Sequence, residues 1–219
     1  MSSRIDPGQI PSCPNLEFEL ALWYSGLTAV AGLDEAGRGA WAGPVTAAAV
    51  ILPNTTRIET ELRGVRDSKQ ISADRRAHLA PLIKEKALAW GIGNCSPVEI
   101  DELGILPATR MAMTRALSAL KISAHHLLID ALFLPEVNLS QTSLIKGDQR
   151  SLSIASASIL AKTTRDEWMR AEDKEYPEYG FAQHKGYGTA LHQLNLSRVG
   201  PSAIHRKSYA PIRELLTKQ

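Results

Sequence analysis

Three short apolar stretches of this 219-residue chain run into acidic residues: VAGL into Asp34 and Glu35, LLI into Asp130, and SLIKG into Asp148. Aspartate is depleted in strands, and an unpaired buried carboxylate is costly. Taken one at a time, each reads as a solvated strand end. Asp148 also reads as a charge at the start of the following helix, where a negative group is favoured. Taken together they say more. If the strands are neighbours in one sheet, the four carboxylates converge, and their mutual repulsion at close range is severe. A divalent cation relieves it. An all-oxygen ligand set suits the hard ions Mg²⁺ or Mn²⁺, and no His/Cys cluster competes for softer metals. Two such ions about 3.5–4 Å apart can hold a phosphodiester, one activating a water and the other stabilising the leaving oxygen.

Directly after the acidic pair comes Gly37-Arg38-Gly39. Alone, this is a tight turn with an exposed arginine. Beside Asp34 and Glu35 it gains a purpose. Glycines let the backbone approach a ligand, and their N–H groups can face an anion or a sugar hydroxyl. The 2′-hydroxyl is what separates RNA from DNA. Lys69 and Lys162 are candidate phosphate contacts, since lysine positions a backbone without reading bases. Tyr187 is flanked by glycines, which favours an exposed ring able to stack on a sugar or base. His184 and His192 are expected to be packed or hydrogen-bonded rather than metal-bound, and Asp166 to form a structural salt link. Arg206 and Lys207 are expected to touch the strand opposite a cut.

These residues need a scaffold. A loose arm is expected over residues 1–14, then a short helix from about Asn15 to Tyr24. Thr28–Leu33 and Pro44–Leu52 read as strands in a hairpin-like pair. Ser72 can cap a helix running to about Ala87. Leu88–Asn94, His126–Ile129 and Ser143–Ile145 supply three further strands, and Pro107–Lys121 a helix. Ser151 to about Lys174 is helix-friendly, and its many Ala and Ser residues allow close packing on a sheet. Glycines, aromatics and two short helices follow Pro177. Strands paired first and then alternating with helices imply an α/β layer around a mixed five-stranded sheet flanked by helices. The domains expected are an arm over 1–14, a catalytic unit over 15–175, and a small helical C-terminal extension over 176–219.

Composition narrows the class. An apolar fraction of 44% and a charged fraction of 22% are those of an ordinary globular chain. No apolar run approaches the roughly 18 residues that cross a bilayer, and the first fourteen residues do not read as a secretory signal. No membrane association and a cytoplasmic, monomeric protein are therefore expected. Cys13 and Cys95 are too few for a disulfide framework. From Lys146 onward 12 Lys and Arg face 8 Asp and Glu, while the remainder is slightly acidic. A basic C-terminal third is compatible with a phosphate-bearing partner.

DEAGRGAWAGPV at 34–45, DSK at 67–69, IKGDQRSLSIASASILAKTTRD at 145–166, HKGYGT at 184–189 and HRKSY at 205–209 together resemble the bacterial type-2 ribonuclease H family, ribonuclease HII. The motifs lie in that family's order and span nearly the whole chain. The resemblance implies a ribonuclease H-like fold. It implies hydrolysis of the RNA strand of RNA–DNA hybrids and nicking 5′ of single ribonucleotides in duplex DNA, by two-metal-ion catalysis leaving 5′-phosphate and 3′-hydroxyl ends. It assigns metal binding to Asp34, Glu35, Asp130 and Asp148, ribonucleotide recognition to Gly37, Arg38 and Gly39, and junction sensing to Tyr187. One departure stands out: Ala131 follows Asp130 where the family carries glycine, so a different local turn is expected. The rivals are a recombination-type two-metal nuclease, which would cut all-DNA junctions, and a non-catalytic hybrid-binding module, which would bind equally well in EDTA.

Overall fold

A computed structural model of the chain describes residue 8 and residues 10–217. The arm expected over 1–14 lies largely outside the described residues. A short helix, α1 (Glu17–Tyr24), precedes the central strand, β1 (Val30–Ala36). β2 (Val45–Ile51), α2 (Arg57–Glu61), α3 (Ala73–Lys86), β3 (Ala89–Cys95), α4 (Pro97–Leu103), α5 (Ile105–Ser118), β4 (His126–Asp130) and β5 (Ser140–Leu144) follow. α6 (Leu152–Glu175) then leads into three C-terminal helices: α7 (Phe181–His184), α8 (Ala190–Val199) and α9 (Ala210–Leu216).

The sheet runs β3-β2-β1-β4-β5. β1 pairs antiparallel with β2, and β2 with β3; β1–β4 and β4–β5 are parallel. The expected mixed five-stranded sheet is therefore what forms. A parallel step needs a crossover, and α5 and its neighbours supply it between β3 and β4. α6 covers one face and α5 the other, each over its own apolar core. The small residues of α6 matter here. A Cβ on Gly32 of β1 would lie 2.3 Å from the backbone of Ser153, so helix and strand approach until only glycine fits. A third core holds the C-terminal helices, with Phe181, Tyr179, Leu196 and Ile212 packed on Met169 of α6 and on Ala42.

Five elements differ from the sequence reading, among them the five-residue α2, where no element is expected. β1 does not end at Leu33 but continues through Asp34 and Glu35, which pair with Ala48 and Ala47 of β2. β5 is centred earlier than Ser143–Ile145. It is a sheet edge, and its SQTSL sequence carries little apolar signal. α4 was not foreseen, although Ser96 and Glu99 form a reciprocal capping box with Pro97 in the first turn. The C-terminal extension has three short helices instead of two, because the four-residue α7 is too short to show a period.

Candidate active site

Parallel pairing sets Leu33 opposite Ile129, so Asp34 and Asp130 occupy the next step at the same end of neighbouring strands. β5 ends with Leu144 opposite Asp130. A single 3₁₀ turn, Gly147–Gln149, then carries Asp148 back to that mouth. The Gly147 N–H donates to Asp130 Oδ1 at 2.7 Å, joining the two acidic segments. Ala131, just past β4, sits at φ +48. The chain thus holds an alanine in the left-handed region that glycine favours, and its N–H bonds Leu144 O at 3.0 Å.

Electrostatics tie the four acids together. Burial raises the Asp34 carboxyl well above its ordinary range, and the charges of Glu35, Asp130 and Asp148 push the same way, against a hydrogen bond from Ser158. Burial also raises Glu35, opposed by Arg38. Arg38 Nη1 lies 3.2 Å from Glu35 Oε1, while Glu35 Oε2 is buried with no hydrogen-bond partner. Asp130 is raised by burial, with the Gly147 N–H and Lys69 acting against it. Asp148 is pushed up to about 7, first by burial and then by Asp130 and Asp67.

Asp67 is the acid that sequence reasoning passed over. It is 6% exposed, sits beside Asp148, and accepts hydrogen bonds from Gln149 Nε2 at 3.3 Å and from the Lys69 N–H at 2.9 Å. It lies in a loop between α2 and α3, so a search for acids at strand ends passes it by. Its place beside Lys69 in DSK was the available signal. Lys69 itself is drawn into the cluster. Burial lowers its pKa, but Asp34, Asp67, Asp148 and Glu35 more than offset this and raise it.

Beside the acids opens a cleft of about 440 Å³, lined by Glu35, the Gly37-Arg38-Gly39 turn, Lys69, Lys162 and Tyr187. The glycine turn, Lys69, Lys162 and Tyr187, all expected substrate contacts, therefore border one cavity. Lys162 Nζ pairs with Asp166 at 2.7 Å and lies 5.3 Å over the Tyr187 ring. Asp166 also takes Arg76 Nη2 at 3.3 Å, which makes it the structural salt link expected. His184 and His192 are packed as expected, their rings stacked 4.2 Å apart. Burial holds His192 down to about 4, and His205 to about 3. His192 Nδ1 bonds Tyr187 O at 3.0 Å.

Arg206 corrects an expectation. It is 0% exposed and is not free to touch a nucleic-acid strand. Its guanidinium donates to the carbonyls of Gly37, Arg38 and Gly43 and to Tyr209 Oη. Lys207 stays on the surface. Arg165, equally buried, was also missed: it donates to Pro44 O, Lys185 O and Ala42 O.

Among the described residues, no three His, Cys, Asp or Glu side chains are spaced to hold a metal ion as they stand. The set nevertheless fits a hard divalent cation. Its donors are all carboxylate oxygens, their pKa values are raised by crowding and burial, and one buried oxygen of Glu35 lacks any partner. Among the described residues, no helix is long and apolar enough to cross a membrane.

Known proteins are similar in sequence and in fold. A family model described as "Ribonuclease HII" matches residues 31–212. A ribonuclease HII of Chloroflexus aurantiacus is 51% identical over 204 residues, covering 93% of this chain and 96% of that protein. The crystal structure of ribonuclease H2 from Pyrococcus horikoshii superposes with a TM-score of 0.72 at 25% identity, over 86% of this chain and 97% of that one. Bst-RNase HIII in complex with Mn²⁺ shares the fold, with a TM-score of 0.68 at 18% identity over 88% of this chain and 70% of that one.

Proposed function

This chain belongs to the ribonuclease HII family, and from that premise we propose that Asp34, Glu35, Asp130 and Asp148 are its catalytic metal ligands. The protein is a ribonuclease H hydrolase that cleaves the RNA of RNA–DNA hybrids and single ribonucleotides embedded in duplex DNA. Its activity depends on a divalent metal, as the family and the Mn²⁺-bound fold neighbour indicate. Mg²⁺ or Mn²⁺ is the ion we assign, two per site, with the nick 5′ of the ribonucleotide and 5′-phosphate and 3′-hydroxyl products. We assign it as a monomer.

The reading rests on one observation: the ends of β1 and β4 and the turn after β5 carry four carboxylates, two buried and two half-buried, at one end of the sheet beside the Gly37-Arg38-Gly39 turn, and their charges act on one another. When bound there, the cations supply an activated water and neutralise the charge developing on the phosphate. The protein's own groups do the rest. Arg38 balances Glu35 at the cleft rim. Lys69 and Lys162 offer positive charge to the sugar–phosphate backbone. Tyr187 presents a ring on which the ribonucleotide can stack, and the glycine turn brings backbone N–H groups close to the ribose.

The test is Asp34→Asn, assayed by nicking of duplex DNA that carries one ribonucleotide in Mg²⁺ and in Mn²⁺. Loss of cleavage with retained folding is expected. Undiminished cleavage refutes the ligand assignment.

A further inference from the structure

The HRKSY segment, expected to lie along nucleic acid, instead sends Arg206 behind the glycine turn. Arg206 and Arg165 are both 0% exposed, and among the described residues neither forms an ion pair. A guanidinium buried without a carboxylate is uncommon. These two are satisfied entirely by backbone carbonyls and one tyrosine hydroxyl.

Arg206 Nη2 lies 2.7 Å from Gly37 O, and Nη1 2.9 Å from Arg38 O. Tyr209 Oη donates to the same Arg38 carbonyl at 2.6 Å. A trans peptide is planar, with its C=O and N–H antiparallel. Drawing the carbonyls of Gly37 and Arg38 rearward therefore turns the N–H groups of Arg38 and Gly39 the other way. Both residues line the cleft. Among the described residues neither N–H has an acceptor. Arg165 fixes the far end of the same loop through Ala42 O and Pro44 O.

We propose that Arg206, seconded by Tyr209, is a positioning residue for ribose recognition: it holds two peptide groups so that the free N–H groups of Arg38 and Gly39 face the substrate's 2′-hydroxyl and adjacent phosphate. A lysine keeps the charge but lacks the planar fork that reaches several carbonyls at once.

This rests on the ribonucleotide-cleaving reading above, and the experiment separates the two. For the enzyme in Mg²⁺, kcat/KM is measured on a duplex with one ribonucleotide. The inhibition constant of the same duplex made wholly of DNA is measured as competitor, alongside thermal melting. Arg206→Lys is expected to lower kcat/KM about tenfold, the worth of one well-placed hydrogen bond, while the competitor's constant stays within about twofold. Tyr209→Phe, the milder change, is expected to lower kcat/KM about threefold in the same selective way, and it decides the matter if Arg206→Lys does not fold. Parallel loss of both constants, or retention of both, in a folded variant overturns the positioning role. A native enzyme that shows no preference for the ribonucleotide duplex overturns instead the reading on which it rests.

Discussion

The stretch from β1 to Pro44 buries charge at both ends, and in opposite ways. At its start, Asp34 and Glu35 join Asp130 and Asp148 with their carboxyls raised by burial and by one another, and Glu35 Oε2 has no partner. At its end, Arg165 and Arg206 are more deeply buried, yet each guanidinium nitrogen has an acceptor. Buried polar groups are satisfied as a rule, and exceptions call for a reason. The cationic end is closed on itself and works as scaffold. The anionic end is open: one Glu35 oxygen has no partner, and the proposed metal ligands stand there.

The contrast breaks most sharply at Asp34. Asp34→Asn should lower nicking by about a thousandfold, since several kcal/mol of transition-state stabilisation go with a metal ligand. It should also raise the melting temperature of the metal-free protein at pH 7, by removing a carboxyl whose ionised form burial and its acidic neighbours disfavour. A melting temperature that falls would show that the acids are balanced internally after all.

The scaffold end is probed by two glycines three residues from the acids and beyond. A Cβ on Gly37, at φ +98, would lie 2.0 Å from Arg165 Nε, whereas a Cβ on Gly39 would meet nothing within 4 Å. Gly37→Ala should cost about 3 kcal/mol in urea unfolding, from strain and displacement of a buried cation. Gly39→Ala should cost less than about 0.5 kcal/mol. Equal costs would mean that the guanidinium yields easily and the loop is not braced.

Tyr187 stands between the two regions, its carbonyl held by His192 and its ring at the cleft. Tyr187→Ala should reduce cutting at single ribonucleotides about tenfold, the scale of one lost stacking contact, and reduce cutting of long hybrids less. Equal losses in parallel kinetic assays would count against junction sensing.

The smallest effect expected is a pH dependence of the metal-free protein. Carboxyls whose folded pKa is raised bind protons more tightly folded than unfolded. Their stabilising contribution is therefore complete below about pH 4 and declines as pH rises through the folded values, up to about 7 for Asp148. Thermal scans in EDTA should show this share as a loss of roughly 5 °C between pH 5 and pH 7.5, which saturating Mg²⁺ recovers by binding the folded state. A flat profile in EDTA would erase the distinction between the open and closed ends.

Much of this was legible beforehand. The strands of the sheet announced themselves as short apolar runs, and α3 through its Ser72 cap. The four acids stood out because carboxylates seldom interrupt such runs. What escaped were features with weak local signal: the bounds of the polar edge strand β5, the five-residue α2, the single-turn α7, and α4, whose capping box was present in the sequence but unread. Asp67 escaped because no strand leads into it.

The chain's own residue order determined the fold class, the acidic set and the glycine turn, since apolar periodicity and residue chemistry are local and act within a few positions. Packing decided the fate of the two buried arginines. In a run such as His205-Arg206-Lys207, a basic residue reads as a solvated charge. Arg206 is instead drawn beneath a turn 169 positions earlier, because only the assembled fold brings enough carbonyls together to replace the water a guanidinium gives up.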